Sequence, residues 1–172
     1  MTTKHELHSP LESVLRSELK MLLDGGQAHA PLAAAAKDFP AKLRGVVPDG
    51  LPYSAWQIVE HMRITQRDIL DFSRNDDGSG NPYQHRKWPD SYWPDTPEPP
   101  DAKAWNAAID QIHADRHAFE QLLKGADATT LTEPFSWGDG QNLLREALLI
   151  ADHNAYHTGE LIVLRRLLGA WK

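Results

Sequence analysis

Apolar residues recur at three- and four-residue steps through most of the chain, the spacing of helices with one buried face. Leu11, Val14, Leu15, Leu19 and Leu22 predict an amphipathic helix over residues 10–23, with Pro10 in its first turn. Gly25-Gly26 interrupts it, and a second helical piece follows over about 28–38, with Pro31 near its start. The pattern leaves open whether these are one kinked helix or two. Ser54 reads as the N-cap of a long helix to about Ser73, striped by Ile58, Met62, Ile69 and Phe72, with Trp56 and Val59 at the stripe's edge. Trp105, Ile109, Ile112, Phe119 and Leu123 predict a third long helix over 101–124, stopped by Gly125. The last spans 141–168 and is apolar on two sides. One stripe holds Leu143, Ile150, Leu161, Leu164 and Leu168, and a second holds Leu144, Leu148, Ala151, Ala155 and Ile162. Such a helix is either fully buried or shared with a partner, which predicts a homodimer with this helix near the interface.

No alternating segment of useful length interrupts these helices, and no internal repeat appears. The expected fold is all-α, a four-helix bundle formed as a single domain over 1–172. Between the second and third long helices lies a stretch of another kind. Six of the twelve prolines fall between Pro82 and Pro100, interleaved with Tyr83, Trp88, Tyr92 and Trp93. Proline at this density excludes helix and central strand, and the aromatic residues argue against a disordered tether. The expectation is a long ordered crossover that either lines a functional site or only covers core. A connection of this length permits the two helices it joins to run parallel. Residues 132–140, with Pro134, Phe135, Trp137 and Gly138-Asp139-Gly140, read as a structured turn into the last helix.

Composition removes several functions. There are no cysteines, so disulfides, thiolate metal sites and a cysteine nucleophile are excluded within this chain. A net charge of −6 and the lack of a basic stripe disfavour nucleic acid as a partner. Mean hydropathy is −0.53, and no run approaches the ~20 apolar residues that span a bilayer, so no membrane partner is expected. The polar first residues, which include His5 and His8 on what reads as a solvated arm, carry no secretory signal pattern, and the expected location is the cytoplasm. Nine histidines remain as the strong metal-ligand type.

Two helices carry a His-x-x-x-His pair, and spacing alone does not choose between them. Helical phase does, at about 100° per residue. His157 falls in the middle of the Leu143–Leu168 stripe and His153 roughly 40° away. His113 and His117 lie off their helix's stripe, on the flank of Asp110 and Glu120, and read as surface residues. His61 borders the apolar stripe of the second long helix. Buried histidines need hydrogen-bond partners or a metal. His61, His153 and His157 therefore form either a hydrogen-bonded core network or a three-imidazole site for a divalent ion. Three imidazoles leave positions open for water and substrate, which is the catalytic pattern. They suit zinc, nickel, iron or copper. Asp68, Asn154 and Glu160 are candidates to orient the ligands, and Glu160 and Asp68 are the first candidates for a general base. Glu60 and Asp152, beside the histidines in sequence, point elsewhere. His29, after the glycine pair, either approaches the site or is an ordinary helix-start histidine.

Trp56-x-x-x-Glu60-His61, the Gly138-Asp139-Gly140 turn and Asp152-His153-Asn154-x-Tyr156-His157-x-Gly159, in this order, resemble the DinB family, and the resemblance covers essentially the whole chain. It implies an up-down-down-up bundle whose second and third long helices run parallel, usually dimeric. It also implies a divalent metal, zinc, nickel or iron, held by His61, His153 and His157. Characterised relatives include thiol-dependent S-transferases and a maleylpyruvate isomerase, which implies a small-molecule thiol and an electrophile as partners. The chain departs from close relatives at Glu160, where they often carry Gln. Two functional expectations follow. One is a metal-dependent transferase or hydrolase-like enzyme acting on a small electrophile, with the Trp88–Trp93 segment lining or capping the route to the metal. The other is a non-catalytic, metal-stabilised dimeric scaffold or binding module in which the metal is sealed. A metal-free bundle with hydrogen-bonded histidines is the plainest alternative.

Overall fold

The computed structural model describes residues 9–171; the expected arm with His5 and His8 lies outside them. The described residues form six α-helices and no strand: α1 Pro10–Asp24, α2 Leu32–Ala36, α3 Ala55–Arg74, α4 Ala104–Lys124, α5 Ala128–Thr132 and α6 Leu143–Leu167. A short 3-10 turn, Ala41–Leu43, precedes α3. The four long helices pack on one another.

Local signals explain the boundaries. Ser9 and Glu12 form a capping box on α1, and Ser54 and Gln57 form another on α3. Asn142 caps α6 by accepting from the Arg145 amide at 2.9 Å. Gly25 and Gly26 adopt φ of +71° and +81°, a conformation costly for any residue with a Cβ, so α1 and α2 are two helices rather than one kinked helix. Pro31 then starts α2, which is shorter than the expected 28–38. The third long helix begins at Ala104 rather than 101, because the Asp101 side chain accepts from the Lys103 and Ala104 amides in a turn before it. α5 was not expected from the sequence; five residues are too few to show a period.

Contacts along the helices fix their directions. Asp24, Lys20 and Arg16 of α1 meet Arg116, Glu120 and Ala126, so α1 runs against α4. Trp56, Met62, Trp105, Ile112, Leu161 and Leu164 share one apolar cluster. Ile69, Leu70, Phe119, Leu123, Leu143 and Ile150 share the other. The starts of α3 and α4 therefore meet the end of α6, and their ends meet its start. α3 and α4 are parallel to each other and antiparallel to α1 and α6, which is the up-down-down-up arrangement. At the junction of the two clusters lies a polar layer from α3 and α6: His61, Gln66, His153, Asn154 and His157. Gln66 is fully buried and donates to the Ile112 carbonyl at 2.6 Å, while the Asn154 amide donates to Gln66 Oε1 at 2.6 Å.

The second apolar strip of α6 is partly covered from within the chain. Ala151 is buried, and Leu144 and Ile162 pack on the two clusters, whereas Leu148 stays 45% exposed. No helix among the described residues is long and apolar enough to cross a membrane.

Candidate metal centre

The crossover after α3 is built onto the polar layer. Tyr83 and Tyr92 both donate hydroxyls to Asp68, at 3.0 and 2.6 Å, and Arg86 stands 3.6 Å from the same carboxylate. Asp68 lies two turns after His61 on a similar face of α3, so the tyrosine clamp brings the crossover down beside the histidine. Trp93 then stacks on the His61 ring, with centroids 3.8 Å apart and planes 2° from parallel, and Tyr53 stacks on the other side of Trp93 at 3.7 Å. The Ser54 hydroxyl donates to the Pro97 carbonyl and pins the far end of the segment to the start of α3.

His61, His153 and His157 converge beneath this cover. One ligand nitrogen from each lies within 4.8 Å of the others, and this is the one such group of three among the described residues. His153 Nε2 and His61 Nε2 are 3.1 Å apart. A tetrahedral ion with Zn–N bonds of about 2.1 Å would hold nitrogens about 3.4 Å apart, so modest adjustment suffices. Two rings have their tautomer fixed from behind. His61 Nδ1 donates to the Tyr92 carbonyl at 2.9 Å, and His157 Nδ1 donates to Glu160 Oε2 at 2.7 Å. A carbonyl and a carboxylate only accept, so both Nδ1 atoms carry the proton and both Nε2 lone pairs are free.

Electrostatics keep these rings neutral. Burial pushes His153 down to about 3, and the neighbouring His157 and His61 push it the same way. Burial, then His61, lowers His157 to about 4. Burial also lowers His61, against the Tyr92 hydrogen bond and the Glu160 charge. Neutral imidazoles with free lone pairs are what a metal requires. The same ring pair, with the proton on His153 Nε2, is what a metal-free hydrogen bond to His61 would use.

The other candidates sort out around this centre. Glu160 touches His157, as an orienting carboxylate would. Asp68 does not touch a histidine; both its oxygens serve the tyrosines. Asn154 donates to Gln66 across the bundle and also lies against His153, whose proton affinity it raises. Glu60 pairs with Arg63 on its own helix at 2.7 Å, and Asp152 is exposed. His117 is exposed as expected. His113 is half-buried rather than a surface residue, because its side chain borders a cleft between α1, α4 and α6, and burial lowers its proton affinity. His29 lines the same cleft and donates to its neighbour's carbonyl, outside the three-histidine group.

A family model described as the DinB superfamily matches residues 26–161, from just before α2 into the last turns of α6. The chain belongs to the DinB superfamily. No curated protein and no solved structure gives a match. The match covers all three histidines and the crossover, so the DinB region of the chain and the centre coincide. Within it, the sequence had not singled out the roles of Trp93, Tyr83 and Tyr92 as a stack and a clamp, nor Glu146, whose carboxyl is 1% exposed in the bundle. The crossover has no period to read. Glu146 does carry a signal, since it stands seven residues before His153 and therefore on its face of α6.

Proposed function

We propose that this DinB-superfamily protein is a metal-dependent enzyme that adds a small-molecule thiol, or water, to a small electrophile, with His61, His153 and His157 as the ligands of a divalent ion: zinc, nickel or iron. The observation that carries this reading is the convergence of three neutral imidazoles, two of them held from behind by acceptors. When bound, the ion would acidify a thiol or water and polarise the electrophile. The chain's own residues supply the rest. Tyr92 and Trp93 fix the His61 ring, one by hydrogen bond and one by stacking. Glu160 holds the Nδ1 proton of His157 and increases the basicity of its other nitrogen. Acting as a general base would require Glu160 to release that bond, and Asp68 to release its tyrosines. An open cavity beside His153 supports access of a substrate to the centre.

A homodimer is part of the same proposal. Val163 and Leu167, 49% and 60% exposed, join Leu148 as uncovered apolar residues on α6. They also support the second reading, a metal-stabilised dimeric scaffold without turnover.

Elemental analysis of the purified protein, followed by a screen of thiols against small electrophiles with the metal found, tests the proposal. His61→Ala should remove most of the bound metal while the helical circular dichroism persists. A full equivalent of metal retained by that variant would refute the ligand set. A tightly held metal that no exogenous ligand reaches would favour the scaffold.

A further inference from the structure

α3 and α6 face each other across a groove with two poles. On α3, His61, Thr65 and Asp68 follow at i, i+4 and i+7, and share one face. On α6, Glu146 and His153 are also seven residues apart and share one face. The histidine centre is one pole. Asp68 and Glu146 form the other, about 10 Å further along the helices. An open cavity of about 300 Å³ occupies this second stretch, walled on one side by the crossover, and its lining includes both His153 and Glu146. Its volume is at the small end for ligand pockets. Phe72, Tyr83, Trp88 and Tyr92 contribute flat walls, and Ile69 and Leu149 fill between them. Trp88 stands 68% exposed at the rim, a large ring with one side uncovered.

The polar groups of this cavity are matched in charge. Arg86 faces Asp68, and Arg145 Nη1 donates to Glu146 Oε1 at 2.5 Å. Neither cation is left over to select an anion, and neither carboxylate to select a cation. What remains is the second oxygen of Glu146, to which no hydrogen bond is made by the described residues, and the Thr65 hydroxyl, which lines the same cavity and is buried without a partner. An unpaired buried polar atom such as Thr65 Oγ1 is costly unless a ligand group completes it. The carboxylate oxygen accepts and the hydroxyl both donates and accepts, so together they suit a neutral partner that does both.

We propose that this cavity is the organic-substrate compartment of the histidine centre, and that it takes a small, flat, uncharged molecule whose hydrogen-bonding group is met by Glu146 while its other end reaches His153. The assignment to the centre rests on the function proposed above; the ligand class rests on the cavity alone. Glu146 is thereby a specificity-determining residue.

The test uses three probes with one ring, benzamide, benzoate and benzylammonium, added to the full-length metal-free protein while NMR follows the Trp88 indole and the Ile69 and Leu149 methyl groups. Benzamide should shift these signals saturably, with both charged probes at least tenfold weaker. Toluene, which lacks the hydrogen-bonding group, should also bind at least tenfold more weakly, a comparison that needs no variant. Glu146→Gln, which keeps an acceptor oxygen, should bind benzamide within twofold of the original, and Glu146→Ala at least fivefold more weakly. Absence of shifts at these residues, tighter binding of a charged probe, or equal binding of toluene and benzamide would overturn the ligand class. Cobalt(II) loading separates the two claims. If the ion binds through the histidines, it should broaden the signals of bound benzamide, and unbroadened signals would overturn the link to the centre. Should the protein take no cobalt yet bind benzamide as described, the metal reading fails and the ligand class stands.

Discussion

Asp68→Asn separates an anchor from a base. Both oxygens of this carboxylate accept tyrosine hydroxyls, at 3.0 and 2.6 Å. Hydrogen bonds to a charged group contribute about 1.5–3 kcal/mol each. Asparagine keeps one acceptor and turns an amide towards the other tyrosine, so the charge-assisted part of both bonds and the fit of one are lost. The expected cost is about 2 kcal/mol. For a chain of this size each kcal/mol moves Tm by about 2–4 °C, which gives a fall of about 4–8 °C. Thermal unfolding in the presence of a chelator reads this without any contribution from metal. Tyr92 connects the clamp to His61 through its backbone carbonyl, so metal affinity, measured by competition with a chromophoric chelator, should fall by about tenfold as well. Tyr92→Phe supplies the cross-check. In that background Asp68→Asn should cost clearly less than alone, because one of its two bonds is already gone. An Asp68→Asn protein with unchanged Tm and metal affinity but no turnover would refute this reasoning, and would return Asp68 to the role of a base.

Glu160→Gln keeps an oxygen for His157 Nδ1 but removes the charge; metal affinity should drop about 10-fold or more with the helical spectrum intact, and unchanged affinity would free Glu160 from the orienting role. Acid should destabilise the metal-free protein early. His61, His153 and His157 bind protons less readily folded than at the ordinary 6.5. Their neutral burial is therefore fully tolerated above that pH, and stability is lost as pH falls below it towards about 4 and 3. Tm scans between pH 7 and 5 should show this slope, and His153→Gln should flatten it; a flat profile for the original protein would contradict the burial of the rings. Sedimentation at micromolar concentration should give a dimer that Leu148→Lys with Val163→Lys converts to monomer, and a monomeric original would end the dimer proposal.

Periodic information survived the passage from sequence to structure, and aperiodic information did not. The stripes on α3, α4 and α6 are readable because each repeats over several turns, and the same phase places His153 and His157 inward and His117 outward, while His113 is half-buried against its phase. His61 was found as a core-edge residue for the same reason. The tyrosine clamp and the Trp93 stack were not readable, since they depend on how a proline-rich segment bends in three dimensions. The second strip of α6 is legible as apolar, and the sequence leaves open burial or a partner; packing within the chain covers part of it and leaves Leu148 exposed. A stripe tells which way a residue looks, not which element lies opposite. Glu146 carries a legible phase, one heptad from His153, but nothing adjacent to it in sequence marks it as part of the site.

Parallel packing of α3 and α4 obliges the chain to return the length of the bundle between them, through residues 75–103. That obligatory return carries the Trp93 stack, the carbonyl that sets the His61 tautomer and most of the aromatic wall of the cavity, yet contributes no helix to the bundle. The histidines stay on α3 and α6, while much of what surrounds them is held on a separable length of chain. The segment is a natural cassette: its sequence can be exchanged between its two fixed ends to change what reaches the histidines, while the ridges and grooves that hold the four long helices together stay as they are.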